Sequence, residues 1–293
     1  MQQVTLPVPR EFSFERCFQF LKRSPHELLH RVEENSVVKL LLVNDELILI
    51  SVKGEENVLK VEFLHGKQSE LVRARAKQYV REWFDLETDL KPFYALARKD
   101  PLLKPLIKKF FGYRIVGQPD LFESLIWAVL GQQINLQFAY TLKGRFVAQF
   151  GDQLIYKEKP YYLFPTAVTV SQLKPEPLLS LQFSRQKASY TIGIAEAFAE
   201  GRVSKDKIAA LPFAEAKEEL MKIKGIGNWT ANYALMKTFR YPDAFPLEDA
   251  GLHNAIKNQL GLKSKPDLNR VKRIFKKYKG WEAYATLYLW KSL

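Results

Sequence analysis

The sequence predicts an α+β N-terminal domain over residues 1–100, an antiparallel sheet with helices, followed by an all-α region over residues 101–293. Three observations carry this. The first hundred residues hold β-rich runs at 37–43, 46–52 and 58–64, separated by turn residues. Beyond Pro101 strand signals nearly vanish and apolar residues recur at helical spacing. Late in the chain, Gly225-Ile226-Gly227 sits between two helical patterns and reads as a hairpin joining two helices.

Taken in order, residues 14–29 read as a helix, and Asn44-Asp45 and Gly54-Glu55-Glu56 read as the turns of antiparallel hairpins. A charged amphipathic helix follows at 69–84, which completes helices packed on a small sheet. Helices are predicted at 101–111, 120–130, 136–150, 186–200, 213–223, 229–239, 251–260, 267–277 and 282–292. Residues 151–165, with Tyr161, Tyr162 and Pro165, read as a loop, and Pro175 and Pro177 mark a second irregular stretch. There is no internal repeat. The helical region is expected to form two subdomains flanking a cleft.

Composition narrows the partners. The 293 residues are 47% hydrophobic and 26% charged, an ordinary globular balance, with 45 Lys plus Arg against 32 Asp plus Glu. The net charge of +13 points to a polyanion, nucleic acid or an anionic membrane face. Residues 253–293 carry ten Lys or Arg against only Asp267 and Glu282. Basic side chains there suit phosphates and interleaved aromatics suit an unpaired base. Tyr284, Tyr288 and Trp290 read instead as a buried aromatic stripe.

Cys17 stands alone, so no disulfide framework and no cysteine-based zinc or iron–sulfur site is expected. His26 and His30, spaced i, i+4, read as a surface helix feature. No stretch approaches the ~20 apolar residues of a membrane span, and the amino terminus lacks a signal pattern. A cytoplasmic, nucleoid-associated protein in a reducing compartment is expected, with no membrane partner.

The hairpin is where chemistry begins. Its glycines permit a tight turn, and Asn228 is expected to cap the next helix. The first N–H groups of that helix, with its dipole, suit a DNA phosphate. Lys224 adds a cation beside it. Asp249, 22 residues past Gly227, opens another helix as its cap. A capping carboxylate is held ionised by backbone N–H bonds and the helix dipole, and an ionised carboxylate suits a cation developing on a sugar. Glu248 is the rival acid, expected to point elsewhere.

The extended pattern Ile223-Lys-Gly-Ile-Gly-Asn-Trp-Thr-Ala231, with Asp249-Ala-Gly-Leu252 after Pro246, resembles the helix-hairpin-helix DNA glycosylase superfamily. The details favour its DNA-3-methyladenine glycosylase II branch. The likeness is strong over 220–256, fair over 120–150 and 180–200, and weak over the N-terminal module. The texture of that module agrees with the TATA-binding-protein-like domain of this branch.

The resemblance implies that Lys224, Gly225, Ile226, Gly227 and Asn228 form the DNA-binding hairpin, and that Asp249 is the catalytic acid. Lys224 stands where the family often has Pro. Bifunctional members carry a Lys at the position of Trp229, whose amine attacks the sugar; a Trp cannot. Trp229, Tyr233 and Trp281 are the implied base pocket, although Trp229 and Tyr233 fit a plain core as well. Ala250 stands where some relatives have Tyr, which makes the pocket roomier. Gln132, Gln133 and Ile134 match the turn whose wedge fills the gap left by a flipped base. A simple helix-ending turn at Gly131 explains the same residues.

The implied activity is that of a monofunctional DNA N-glycosylase excising alkylated purines of the 3-methyladenine and 7-methylguanine type in base excision repair. Its partner is double-stranded DNA containing damaged bases. It is expected to act as a monomer with no required cofactor; a structural monovalent cation at the hairpin is left open. The rivals are a non-catalytic binder of damaged, abasic or bent DNA, and an oxidised-purine lyase.

Overall fold

The computed structural model describes residues 3–293. In chain order, β1 (Gln3–Pro7) and α1 (Phe14–Leu21) precede β2 (Arg31–Val32), β3 (Val37–Val43), β4 (Glu46–Glu55), β5 (Val58–His65) and α2 (Glu70–Trp83). The strands form one antiparallel sheet in the order β1-β5-β4-β3-β2. Asn44 and Asp45 both take positive φ, 48° and 61°, as a two-residue hairpin turn requires. The next turn lies at Glu56-Asn57, after Val58 pairs with Glu55, two residues later than the Gly54 signal suggests.

Helix α1 is shorter than the predicted 14–29. It ends at Leu21 because Pro25 cannot supply an amide to a further turn. His26 and His30 therefore share no helix face, and the His30 ring bonds instead to the Leu21 carbonyl at 3.1 Å.

Short helices α3 (Lys91–Ala97) and α4 (Lys104–Lys109) lead to α5 (Leu121–Gly131) and α6 (Leu136–Phe150). The segment read as a loop contains a small hairpin, β6 (Gln153–Tyr156) and β7 (Lys159–Tyr162), turning on Lys157 and Glu158 at φ 48° and 62°. Its Tyr161 packs with Val38, Leu40 and Leu49 on the outer face of the sheet. That is why the β3 run, broken only by the buried Lys39, is apolar rather than alternating: from Val37 to Leu41 it is covered on both faces.

Helices α7 (Ala167–Ser171), α8 (Pro175–Ser180), α9 (Arg185–Ala199), α10 (Lys205–Ala209), α11 (Phe213–Met221) and α12 (Asn228–Ala234) follow. The last continues as a π-helix, Leu235–Phe239, before α13 (Ala250–Gln259), α14 (Leu268–Phe275) and α15 (Glu282–Trp290). One hydrophobic core runs from Leu6 in the sheet to Leu289 in α15. Tyr284 and Tyr288 pack on Phe93 of α3 in tilted contacts, ring centroids 5.5 Å apart, and the Tyr94 and Tyr288 hydroxyls bond at 2.7 Å. The last helix is thereby fixed against the first hundred residues. Among the described residues no helix is long and apolar enough to cross a membrane.

Candidate active site

The hairpin between α11 and α12 has the geometry its sequence implies. Gly225 takes φ 95°, and a Cβ there would meet the Tyr190 ring at 2.4 Å, so position 225 admits no side chain. Ile226 is buried beneath the turn, while Lys224 and Gly227 are exposed. A Cβ at Gly227 would meet no atom within 4 Å, which leaves the space above the turn open.

Asn228 corrects the expectation placed on it. Gly227 occupies the cap position of α12, with no side-chain acceptor, and Asn228 is the first helical residue. Its amide donates to both Glu248 carboxylate oxygens, at 2.9 and 3.1 Å. The leading N–H groups of α12 thus have no side-chain cap, and Glu248 is committed to Asn228 on an exposed surface.

Asp249 caps α13, its Oδ1 accepting from the Leu252 amide at 2.7 Å. Two indoles converge on the same carboxylate. Trp229 Nε1 donates to Oδ2 at 3.0 Å, and Trp290 Nε1 donates to Oδ1 at 2.7 Å. Three N–H donors therefore fix the plane and direction of the group, and each bond is charge-assisted. Gly251 makes room for this approach: a Cβ there would lie 3.0 Å from Asp249 Oδ1 and 3.5 Å from the Trp290 ring.

Trp229 stacks on Tyr233 with centroids 5.4 Å apart, one helical turn along α12, and Trp290 lies 6.3 Å from Tyr233. Trp281 is elsewhere. Its ring packs on Phe93 and Tyr284, at 5.9 and 6.3 Å, and Trp290 takes the place expected of it. The two tryptophans stand at opposite ends of α15, roughly 13 Å apart along its axis at 1.5 Å per residue. Trp290 is correspondingly not part of the buried stripe.

Sequence reasoning also missed the next layer. Tyr233 Oη accepts from Trp127 Nε1 at 2.9 Å, and Trp127 packs on Tyr140 at 4.7 Å. The Arg23 guanidinium donates to the Tyr140 hydroxyl and lies 3.9 Å from the Phe20 ring centroid. Burial pushes the Tyr233 phenol up to about 12, so it stays neutral. These side chains, with Lys237, line a cavity of about 50 Å³, room for a few waters. Lys237 donates to the Val116 carbonyl, and burial pulls its amine down to about 7. No local signal in the sequence links Phe20 and Arg23 to Trp127, Tyr140 and Tyr233; only the fold does.

The three residues of the expected wedge differ in placement. Gln132 is turned inward: its amide donates to the Gly225 carbonyl at 3.1 Å and to Thr230 Oγ1 at 3.0 Å. Ile134 packs on Trp127 and Tyr140. Gln133 stands exposed at the tip with φ 57°, a left-handed conformation unusual for a residue with a side chain.

Comparison with known proteins agrees with this geometry. A model of the HhH-GPD superfamily of base excision DNA repair proteins matches residues 126–280, and one of the 8-oxoguanine DNA glycosylase N-terminal domain matches residues 5–125. A DNA-3-methyladenine glycosylase of Bacillus subtilis strain 168 is 40% identical over 294 residues, covering 99% of this chain and 97% of that protein. DNA-3-methyladenine glycosylase 2 of Escherichia coli K12 is 28% identical over 182 residues, 61% of this chain and 60% of that protein. In fold, the 3-methyladenine DNA-glycosylase from Archaeoglobus fulgidus superposes with a TM-score of 0.86 at 21% identity, covering 98% of this chain and 97% of that one. An 8-oxoguanine glycosylase/lyase of Clostridium acetobutylicum, in complex with DNA, does so at 0.78 and 20%, covering 99% and 94%. The family models, the 40% relative and the shared fold together establish that this chain belongs to the helix-hairpin-helix DNA glycosylase superfamily, in its DNA-3-methyladenine glycosylase II branch.

Proposed function

We propose that the protein is a monofunctional DNA N-glycosylase that excises alkylated purines from double-stranded DNA, with Asp249 as its catalytic carboxylate. One observation carries the reading: the Asp249 carboxylate is held by Trp229 and Trp290 beside the stacked Trp229–Tyr233 pair. The uncapped amides of α12 and Lys224 suit a backbone phosphate, which sets the DNA without reading its sequence. Gln133, exposed at the tip, suits the gap left by an extruded base, where a polar side chain bonds to the orphaned partner.

The step is an N-glycosidic hydrolysis. The C1′–N bond breaks and its electron pair leaves with the base, which for a cationic alkylpurine departs neutral. Positive charge develops on the sugar, where a fixed carboxylate stabilises it. Water adds to C1′ and gives up one proton, leaving a free base and an abasic site. Electron-rich rings at Trp229 and Tyr233 favour a cationic purine by stacking and cation–π attraction.

Trp229 occupies the hairpin position from which the lysine of bifunctional relatives acts. Lys237 lies roughly 12 Å further along the helix and is engaged with the Val116 carbonyl. No required cofactor enters this mechanism, and the hairpin is compatible with a structural monovalent cation. Incubating the protein with methylated duplex DNA and separating the released bases by chromatography tests the reading. Free 3-methyladenine and 7-methylguanine are expected. Tight binding with no base released would favour a non-catalytic binder.

A further inference from the structure

Lys187 is buried in α9, with 9% of its surface exposed, and forms no ion pair among the described residues. Its ammonium donates to the carbonyls of Val129, Leu130 and Gln132, at 3.0, 2.5 and 2.7 Å. These carbonyls close α5, where the helix dipole presents its negative end and intrahelical amides run out. Ser184 caps α9 by accepting from the Lys187 amide at 3.2 Å, which fixes where the side chain starts. Burial pulls the amine down to about 8, still charged at neutral pH.

The turn gripped in this way is the one that carries Gln133. Gln132 fastens the same turn to the hairpin through the Gly225 carbonyl and Thr230 Oγ1. A left-handed residue with a side chain persists only where its surroundings hold it, and Gln133 sits between these two tethers.

We propose that Lys187 is a positioning residue for base extrusion: together with the Gln132–Gly225–Thr230 bonds it locks the Gln133 turn to the phosphate-gripping hairpin, so that the two engage DNA as one rigid unit. The proposal rests on the glycosylase reading above. It separates extrusion, which needs the turn held in register with the hairpin, from bond cleavage, which needs Asp249.

The separation supplies the test. A duplex carries 7-methylguanine either opposite cytosine or opposite an abasic-site analogue, where less pairing is lost on extrusion. Lys187→Met is expected to slow single-turnover release at least tenfold, as an order of magnitude, from the paired site and by less than about threefold from the unpaired one. Lys187→Arg, which keeps a charged donor, restores the paired rate to within about threefold. Thr230→Val, nearly isosteric, removes one anchor of Gln132 and gives the same split in weaker form even if the methionine variant does not fold. Equal losses on both substrates, or none on the paired one, would overturn the proposal. If the wild type releases 7-methylguanine from neither duplex, the glycosylase reading itself has failed.

Discussion

Asp249→Asn is expected to lower base release by at least on the order of 10²–10³-fold while DNA affinity stays within about threefold. The asymmetry follows from the bonds the carboxylate makes. Oδ1 serves the Leu252 amide and the Trp290 indole, and Oδ2 serves the Trp229 indole. Asparagine keeps one oxygen for the cap, and it caps helices about as well as aspartate, so α13 should survive. Its amide nitrogen cannot accept from an indole, so one tryptophan loses its partner, and the negative charge is gone. Single-turnover release, binding anisotropy and a thermal melt, measured together, check this. Full activity in the variant would remove Asp249 from the mechanism.

The second large effect concerns stability. Lys143 of α6 is paired with Glu27 at 3.0 Å and Glu123 of α5 at 3.3 Å, the three side chains being 5%, 9% and 10% exposed. Burial opposes the Glu27 charge, but Lys143, His30 and the Leu29 amide outweigh it and hold the carboxyl down to about 2. The same carboxylates push the Lys143 ammonium above its ordinary value. A lowered carboxyl contributes stability that is present above its unfolded value of 4.5 and is lost as pH falls through about 2. A raised ammonium contributes stability present below its unfolded value of 10.5. The network therefore supports the fold across the whole range from 4.5 to 10.5.

Lys143→Met takes from two buried carboxylates the ammonium ion-paired to both, leaving only the more distant Lys39 and His30 facing them, and is expected to cost about 3–5 kcal/mol at pH 7. Part of that loss is recovered toward pH 5 as the unpaired, buried Glu27 carboxyl takes up a proton, whereas the wild type gains nothing there. Urea unfolding at both pH values reads the difference. An unchanged midpoint at pH 7 would show that the triad contributes little.

The capping aspartate, Asp249, and the hairpin were legible because their signals are local. Gly225 needs its positive φ within a single turn, and Asp249 announces itself by capping the helix it begins. Trp290 was harder, since it reaches Asp249 across 41 positions of sequence. Its phase around the helix was nonetheless readable. At 3.6 residues per turn Trp290 lies roughly 200° from Tyr288, so it could not share the buried stripe of Tyr284 and Tyr288. Trp281 was placed in the pocket by resemblance alone, but it stands at the N-terminal cap of α15, while the site lies at the other end. Asn228 looked like a cap because asparagine is a favoured cap residue; Gly227 takes that position, and Glu248, 20 residues on, claims the Asn228 amide.

The β6–β7 hairpin was hidden because Lys157 and Glu158 adopt positive φ without the Gly or Asn that usually marks such a turn. The inner layer of Arg23, Phe20, Trp127 and Tyr140 exists only once the N-terminal module folds against α5 and α6. No periodicity could have revealed it.

The central claim is that Trp229 and Asp249 release a base and leave the sugar-phosphate strand whole. A duplex labelled on the strand containing 7-methylguanine tests it in one gel, run with and without alkali and with borohydride added during turnover. The account predicts an intact strand that breaks only after alkali exposes the abasic site, with no trapped adduct. Cleavage without alkali, or a covalent protein–DNA band under borohydride, would contradict it.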